Sequence, residues 1–147
     1  MIHPPDLADW GPAGSQSRLG FDLAEVSGIA ESLRHFGRRF TDRIFTSREL
    51  DYALSGTGLV AERLAARFAA KEAVIKALSL SEAGVALSDI EVMKLADGDC
   101  TIVLHGEAKR IAEGMGVQRI LVSLSHDGNV AGAVVHALLS TPITEEA

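Results

Sequence analysis

Hydrophobic and polar positions change period several times along the chain, and each change predicts an element. Over LGFDLAEV, Leu19 to Val26, the residues Phe21, Leu23 and Glu25 alternate with Gly20, Asp22 and Ala24, the two-residue period of a short strand. From Val26 the spacing lengthens: Ile29, Leu33, Phe36 and Phe40 recur at helical intervals, with Arg34 and Arg38 on the far side. Thr46 with Glu49 three residues on is a capping box that opens a short helix over SRELDYAL. Val60 to Leu78 predicts a long helix. DIEVMKLA and CTIVL, joined at Asp97-Gly98, predict a hairpin; GEAKRIAEGM predicts a short helix closed by glycines; RILVSLS and VAGAVVHAL, joined at Asp127-Gly128, predict a second hairpin. The fold class expected is α+β, with antiparallel sheet packed against a long helix.

Residues 1–17 carry Pro4, Pro5, Pro12, Gly11 and Gly14 without periodicity, so a flexible tail is expected there and another over residues 140–147, leaving 18–139 as the domain. A chain of 147 residues, 47% apolar, can bury the core of one domain without staples. Its single cysteine, Cys100, excludes an internal disulfide framework and a cysteine zinc cluster, and is read as a buried strand residue. No apolar run approaches the roughly 18 to 20 residues of a membrane span, and the N-terminus lacks the order of a signal peptide. A cytoplasmic protein with no membrane partner is expected.

A formal net charge of −6 argues against nucleic-acid binding, which needs clustered cations for phosphates. The average conceals a local excess: Arg34, Arg38, Arg39, Arg43 and Arg48 are five of the ten arginines, with Asp42 the only acid among them. Such a patch on an acidic protein suits one acidic partner, or is solvated surface. Gly56-Thr57-Gly58-Leu59-Val60-Ala61 spells a dinucleotide fingerprint, but that site needs a preceding strand and SRELDYAL is helical. Ser125-His126-Asp127 has the letters of a hydrolase triad, yet consecutive strand residues point to alternate faces and cannot converge. His126, at a strand end, can still meet an anion or simply flank the turn.

The stretch RFAAKEAVIKAL, Arg67 to Leu78, carries charge next to an apolar stripe. At 100° per residue, Leu64, Phe68, Ile75 and Leu78 span about 80°, with Lys71 inside the arc and Glu72 about 40° beyond Phe68. Lys76 lies four residues after Glu72, which alone would predict a surface ion pair worth ~0.3 to 0.5 kcal/mol. Asp22 changes that reading, because a carboxylate alternating with large hydrophobes on a strand needs a cation. Two carboxylates with few nitrogen or sulfur ligands nearby suit Mg²⁺.

These residues resemble the 4′-phosphopantetheinyl transferase family, and within it the holo-[acyl-carrier-protein] synthases. The resemblance rests on Gly20-Phe21-Asp22-Leu23, on the K-E-A-x-x-K core of Lys71 to Lys76, on Ser123-Leu124-Ser125-His126 and on RRFTDRIFTSREL, and it spans Leu19 to Leu138. It implies the family's fold and a homotrimer with its donor site between subunits. It further implies that Asp22 and Glu72 hold Mg²⁺, that Lys76, Arg67 and His126 meet the phosphates of coenzyme A, and that Glu72, or a metal-bound water it orients, takes the serine proton. The implied reaction moves phosphopantetheine from coenzyme A to a serine of an apo acyl carrier protein, whose acidic helix would meet the arginine patch. Three departures stand out: Ser79-Leu80-Ser81-Glu82 where the family usually has Gly-Thr-Gly, Asp97-Gly98-Asp99 in place of Gly-Lys-Pro, and Gly28 where a basic residue is usual. The competing readings are a non-catalytic carrier-protein binding module of the same fold and an unrelated Mg²⁺-dependent phosphohydrolase.

Overall fold

In the computed structural model, which describes residues 15–56 and 59–140, β1 (Ser15–Glu25) runs directly into α1 (Val26–Phe36), followed by α2 (Arg38–Ile44), α3 (Ser47–Leu54) and the long α4 (Val60–Ala77). A single 3₁₀ turn leads to the hairpin β2 (Ile90–Lys94) and β3 (Cys100–Leu104), then α5 (Gly106–Met115) and the hairpin β4 (Val117–Asp127) and β5 (Val130–Ser140). All pairing is antiparallel: β1-β5-β4 form one sheet and β2-β3 another. The strand expected to begin at Leu19 begins at Ser15, so the last three residues of the expected N-terminal tail lie in β1, and Ser140 of the expected C-terminal tail ends β5. The remainder of both tails lies outside the described residues.

The helix read as continuous from Val26 through Phe40 is broken. Gly37 takes φ +52°, a conformation that L side chains rarely adopt, and closes α1 with its N–H on the Leu33 carbonyl. Phe36 is therefore left 58% exposed rather than buried. The capping box of α3 forms in full: Thr46 accepts from the Glu49 N–H while the Glu49 side chain accepts from the Thr46 N–H.

The core lies around α4, which packs on β1 and β5 and is covered from its other sides by α1, α3 and β2. The apolar stripe read from spacing is only half right. Leu64 and Leu78 are buried, but Phe68 and Ile75 are half-buried, and the helix buries Ala65, Ala66, Ala69, Ala70, Ala73 and Ala77 instead. Close packing explains it. A Cβ on Gly20 would lie 1.9 Å from the Ala73 carbonyl oxygen, so β1 and α4 touch backbone to backbone, and only small residues fit between. The same contact sets the orientation of β1. Gly20, Asp22 and Ala24 face α4, while Leu19, Phe21 and Leu23 point outward, 62%, 59% and 56% exposed. Cys100 is half-buried on β3 rather than buried.

Candidate functional site

Three of the five residues singled out by sequence meet where β1 crosses α4. Gly20 lets the helix approach, and Asp22, two residues along and on the same face, reaches it with a side chain only 20% exposed. Lys76 Nζ donates to Asp22 Oδ1 at 2.8 Å and to the Phe21 carbonyl at 3.2 Å. The expected Glu72–Lys76 pair does not form; the ammonium has turned to the strand. Burial raises the Glu72 carboxyl above the ordinary glutamate range, the charge on Asp22 pushes the same way, and Lys76 opposes both. Two partly buried carboxylates thus share a patch with one ammonium that is open to solvent. No cluster of three or more potential metal-ligating acids, histidines or cysteines occurs among the described residues, so any ion here has two protein carboxylates and must complete its shell from water or ligand.

Arg67 and His126 meet each other, but elsewhere. Both line a cleft of about 290 Å³ with Tyr52, Arg63, Lys94 and the backbone at Gly98. Arg67 lies five residues before Glu72, about 140° around the helix, so this cleft opens on a different face from the carboxylates. Its guanidinium stacks 4.2 Å from the centre of the Tyr52 ring, and its buried Nε has no hydrogen-bond partner among the described residues. Lys94 Nζ donates to the Tyr52 hydroxyl at 3.1 Å, and that bond holds the phenol below its ordinary pKa against the effect of burial, with the charges of Arg67 and Arg63 adding to it. A cleft lined by three cations and a histidine, against the single carboxylate of Glu62, suits a polyanion. Tyr52, Arg63 and Lys94 escaped sequence reading because nothing in their local pattern distinguishes them from a helix face and a strand end.

Lys71, which spacing puts inside the apolar arc, belongs to the interior. It is fully buried, donates to Glu49 Oε1 at 2.7 Å and to the carbonyls of Leu87 and Ile90, and lies on the side of α4 turned away from Asp22. Burial lowers its pKa, and the Glu49 carboxylate opposes that shift. Beside it Glu91, also buried, accepts from Thr46 Oγ1 and from Arg48, with His105 Nε2 at 3.0 Å from Oε1. Burial alone would raise the Glu91 carboxyl, but the hydrogen bonds from Thr46, His105 and Arg48 outweigh it and hold the group low. The signal was available for this pair: a lysine inside an apolar arc requires an internal anion, and Glu49 Oε1 accepts from Lys71 as well as from the Thr46 N–H of its cap. Arg48 is accordingly withdrawn from the arginine patch. Arg34, Arg38, Arg39 and Arg43 remain exposed, and Arg39 and Arg43 line a groove of about 450 Å³ with Phe36, Phe40 and Ile44.

The family described as "4′-phosphopantetheinyl transferase superfamily" matches residues 18–135. The chain is 44% identical over 117 residues to a holo-[acyl-carrier-protein] synthase of Koribacter versatilis, covering 79% of this chain and 93% of that one. It is 42% identical over 121 residues to the protein of the same name from Gloeobacter violaceus, covering 82% and 92%. Among solved structures it resembles the Chronobacterium ammoniagenes ACPS-CoA complex, with a TM-score of 0.74, 32% identity and coverage of 86% of this chain and 99% of that one.

Proposed function

This chain belongs to the 4′-phosphopantetheinyl transferase superfamily, and from that premise we propose that it moves the phosphopantetheine arm of coenzyme A onto a serine of an apo acyl carrier protein, with Mg²⁺, releasing adenosine 3′,5′-bisphosphate. The convergence of Asp22, Glu72 and Lys76 at the β1–α4 crossing carries the reading.

The donor set fits a hard divalent ion: burial, with the nearby Asp22 charge adding to it, disfavours the free Glu72 carboxylate, and Mg²⁺ takes oxygen ligands while keeping several waters. Asp22 and Glu72 would hold it, and when bound it neutralises charge on the pyrophosphate. The remaining work falls to side chains. Lys76 offers its ammonium to the phosphate oxygens, and Gly20 keeps α4 close enough to present it. Glu72, or a water that it orients, takes the proton of the attacking serine hydroxyl. The serine oxygen bonds to the β-phosphorus, the bond from that phosphorus to the bridging oxygen breaks, and the leaving bisphosphate carries the charge away. Such a transfer needs positioning and neutralisation more than covalent help.

Arg67 and His126, with Arg63 and Lys94, suit the phosphates at the adenosine end of the donor. Their separation from the carboxylates around α4 supports a homotrimer, in which one protomer's cleft completes its neighbour's carboxylate site. The outward face of the three-stranded sheet, with Leu19, Phe21, Leu23, Leu121 and Val134 exposed, offers the contact. The carrier's acidic helix docks on Arg34, Arg38, Arg39 and Arg43, with an apolar side chain in the groove at Phe36 and Phe40. Incubation with an apo carrier, coenzyme A and Mg²⁺ tests the reading by mass spectrometry: a carrier heavier by one phosphopantetheine arm is expected, and an unmodified carrier in a binding-competent mixture would leave only a binding module.

A further inference from the structure

The sheet-facing side of α4 is built from alanines, and ridges one methyl high interlock weakly. The contact of Gly20 with the Ala73 carbonyl brings β1 close, and the side chain that links the two, Lys76 to Asp22 and the Phe21 carbonyl, is a long one more than half exposed to solvent. Slipping α4 by one residue would turn Glu72 through about 100° and away from Asp22. On the opposite side, besides the contacts of Arg63 and Arg67 with Tyr52, the helix carries a fully buried directional fixture. Lys71 has three acceptors, the Glu49 carboxylate and the carbonyls of Leu87 and Ile90, and no exposure. Glu49 is itself fixed, accepting from the Thr46 N–H on one oxygen and from the Val92 N–H on the other. In any other register a buried ammonium and a buried carboxylate would stand unpaired, so only one setting of α4 is tolerated.

We infer that Lys71 is the positioning residue for Glu72: its buried pair with Glu49 locks the rotation of α4 on α3 and β2, and so aims the neighbouring carboxylate at Asp22. The inference rests on the proposed role of Asp22 and Glu72 as metal ligands. Lys71 touches none of the reacting groups and acts only through the helix.

Removing one charge would strand the other, so the informative variant neutralises both: Glu49→Gln with Lys71→Met, which keeps side-chain volume. Binding of Mn²⁺ alone is followed by electron paramagnetic resonance, alongside kcat, KM for the carrier and the far-ultraviolet circular dichroism spectrum. A folded double variant is expected to bind Mn²⁺ about tenfold more weakly and to lose about tenfold in kcat, with KM for the carrier unchanged. Glu49→Asp, which keeps both charges but shortens the arm by one carbon, should shift both values in the same direction by less, and it carries the test if the double variant does not fold. Wild-type Mn²⁺ affinity and kcat in the folded double variant, or in Glu49→Asp where that variant carries the test, overturn the inference. Asp22→Asn separates the two levels: if it binds Mn²⁺ like the wild type, the ligand assignment has failed and the inference with it.

Discussion

At Glu72 the chain maintains a carboxylate where burial and the charge on Asp22 both favour its protonated form. An acid whose pKa is higher in the folded than in the unfolded state costs stability once ionised. That cost is complete above the folded value and vanishes as pH falls below the unfolded one, near the ordinary 4.5. Glu72→Gln should therefore melt at a higher temperature than the wild type at about pH 7, with the difference gone by about pH 4, while turnover falls by orders of magnitude. Calorimetry at the two pH values and a transfer assay check both; near-normal turnover would remove Glu72 from the site. Asp22, Glu72 and Lys76 were legible in the chain because carboxylates beside apolar positions have few ordinary explanations. Their pairing was not, since helical spacing predicts Lys76 beside Glu72 and only the strand crossing reveals Asp22 as the nearer partner. The charges of Lys71 and Glu72, adjacent in sequence, diverge by about 100° and serve different sides of one helix.

Just past the C-terminal end of α4, Ser79 carries a conformational cost. Ser79 takes φ +55°, a left-handed setting that costs an L residue about 1 to 2 kcal/mol and a glycine almost nothing. Against that gain, glycine loses more backbone entropy on folding, by about 0.5 to 1 kcal/mol, and the exposed 3.4 Å contact from Arg18 to Ser79 Oγ disappears. Ser79→Gly should therefore stabilise the protein by at most about 1 kcal/mol, measured as a higher urea midpoint with unchanged slope; a lower midpoint would show that the Arg18 contact outweighs the strain. Apart from the break between α1 and α2, element types and order were readable, because turn pairs such as Asp97-Gly98 and the Thr46–Glu49 capping box announce their own geometry. Two readings of helix faces failed, each for its own reason. Spacing alone favours the face with the larger side chains, so Phe68 and Ile75 were assigned inward, whereas tight packing of β1 on α4 demands glycine and alanine there. Phe36 was run on through Gly37, whose left-handed setting ends α1.

For the whole molecule, the distribution of charge and apolar surface says more than their totals. The outward sheet face joins Phe21 to Val134 and Leu19 to His136 across strands, and Val134→Glu at its centre should leave a monomer in sedimentation that has lost transfer with Asp22 and Glu72 untouched. A Val134→Glu protein that stays assembled, or a monomer that stays active, would detach the site from the assembly. The arginine patch was visible in the chain as a local excess, but its membership was not, since Arg48 belongs to Glu91. Arg38 is 92% exposed and pairs only loosely with Asp42 at 3.8 Å, so it is available to a partner. Exposed pairs contribute about 0.2 to 1 kcal/mol each, so one substitution should change carrier KM modestly and several together a good deal more. Screening acts over about 8 Å at physiological ionic strength, so added salt should raise KM for the carrier more than KM for coenzyme A, whose proposed phosphate cleft holds the buried Arg67. Charge reversal at Arg34 and Arg38 together should reproduce that selective rise and leave Mn²⁺ binding intact, because neither side chain lies at the β1–α4 crossing. Titration of each substrate against wild type and double variant decides it: equal effects on both substrates, or none on the carrier, would make the patch ordinary solvated surface.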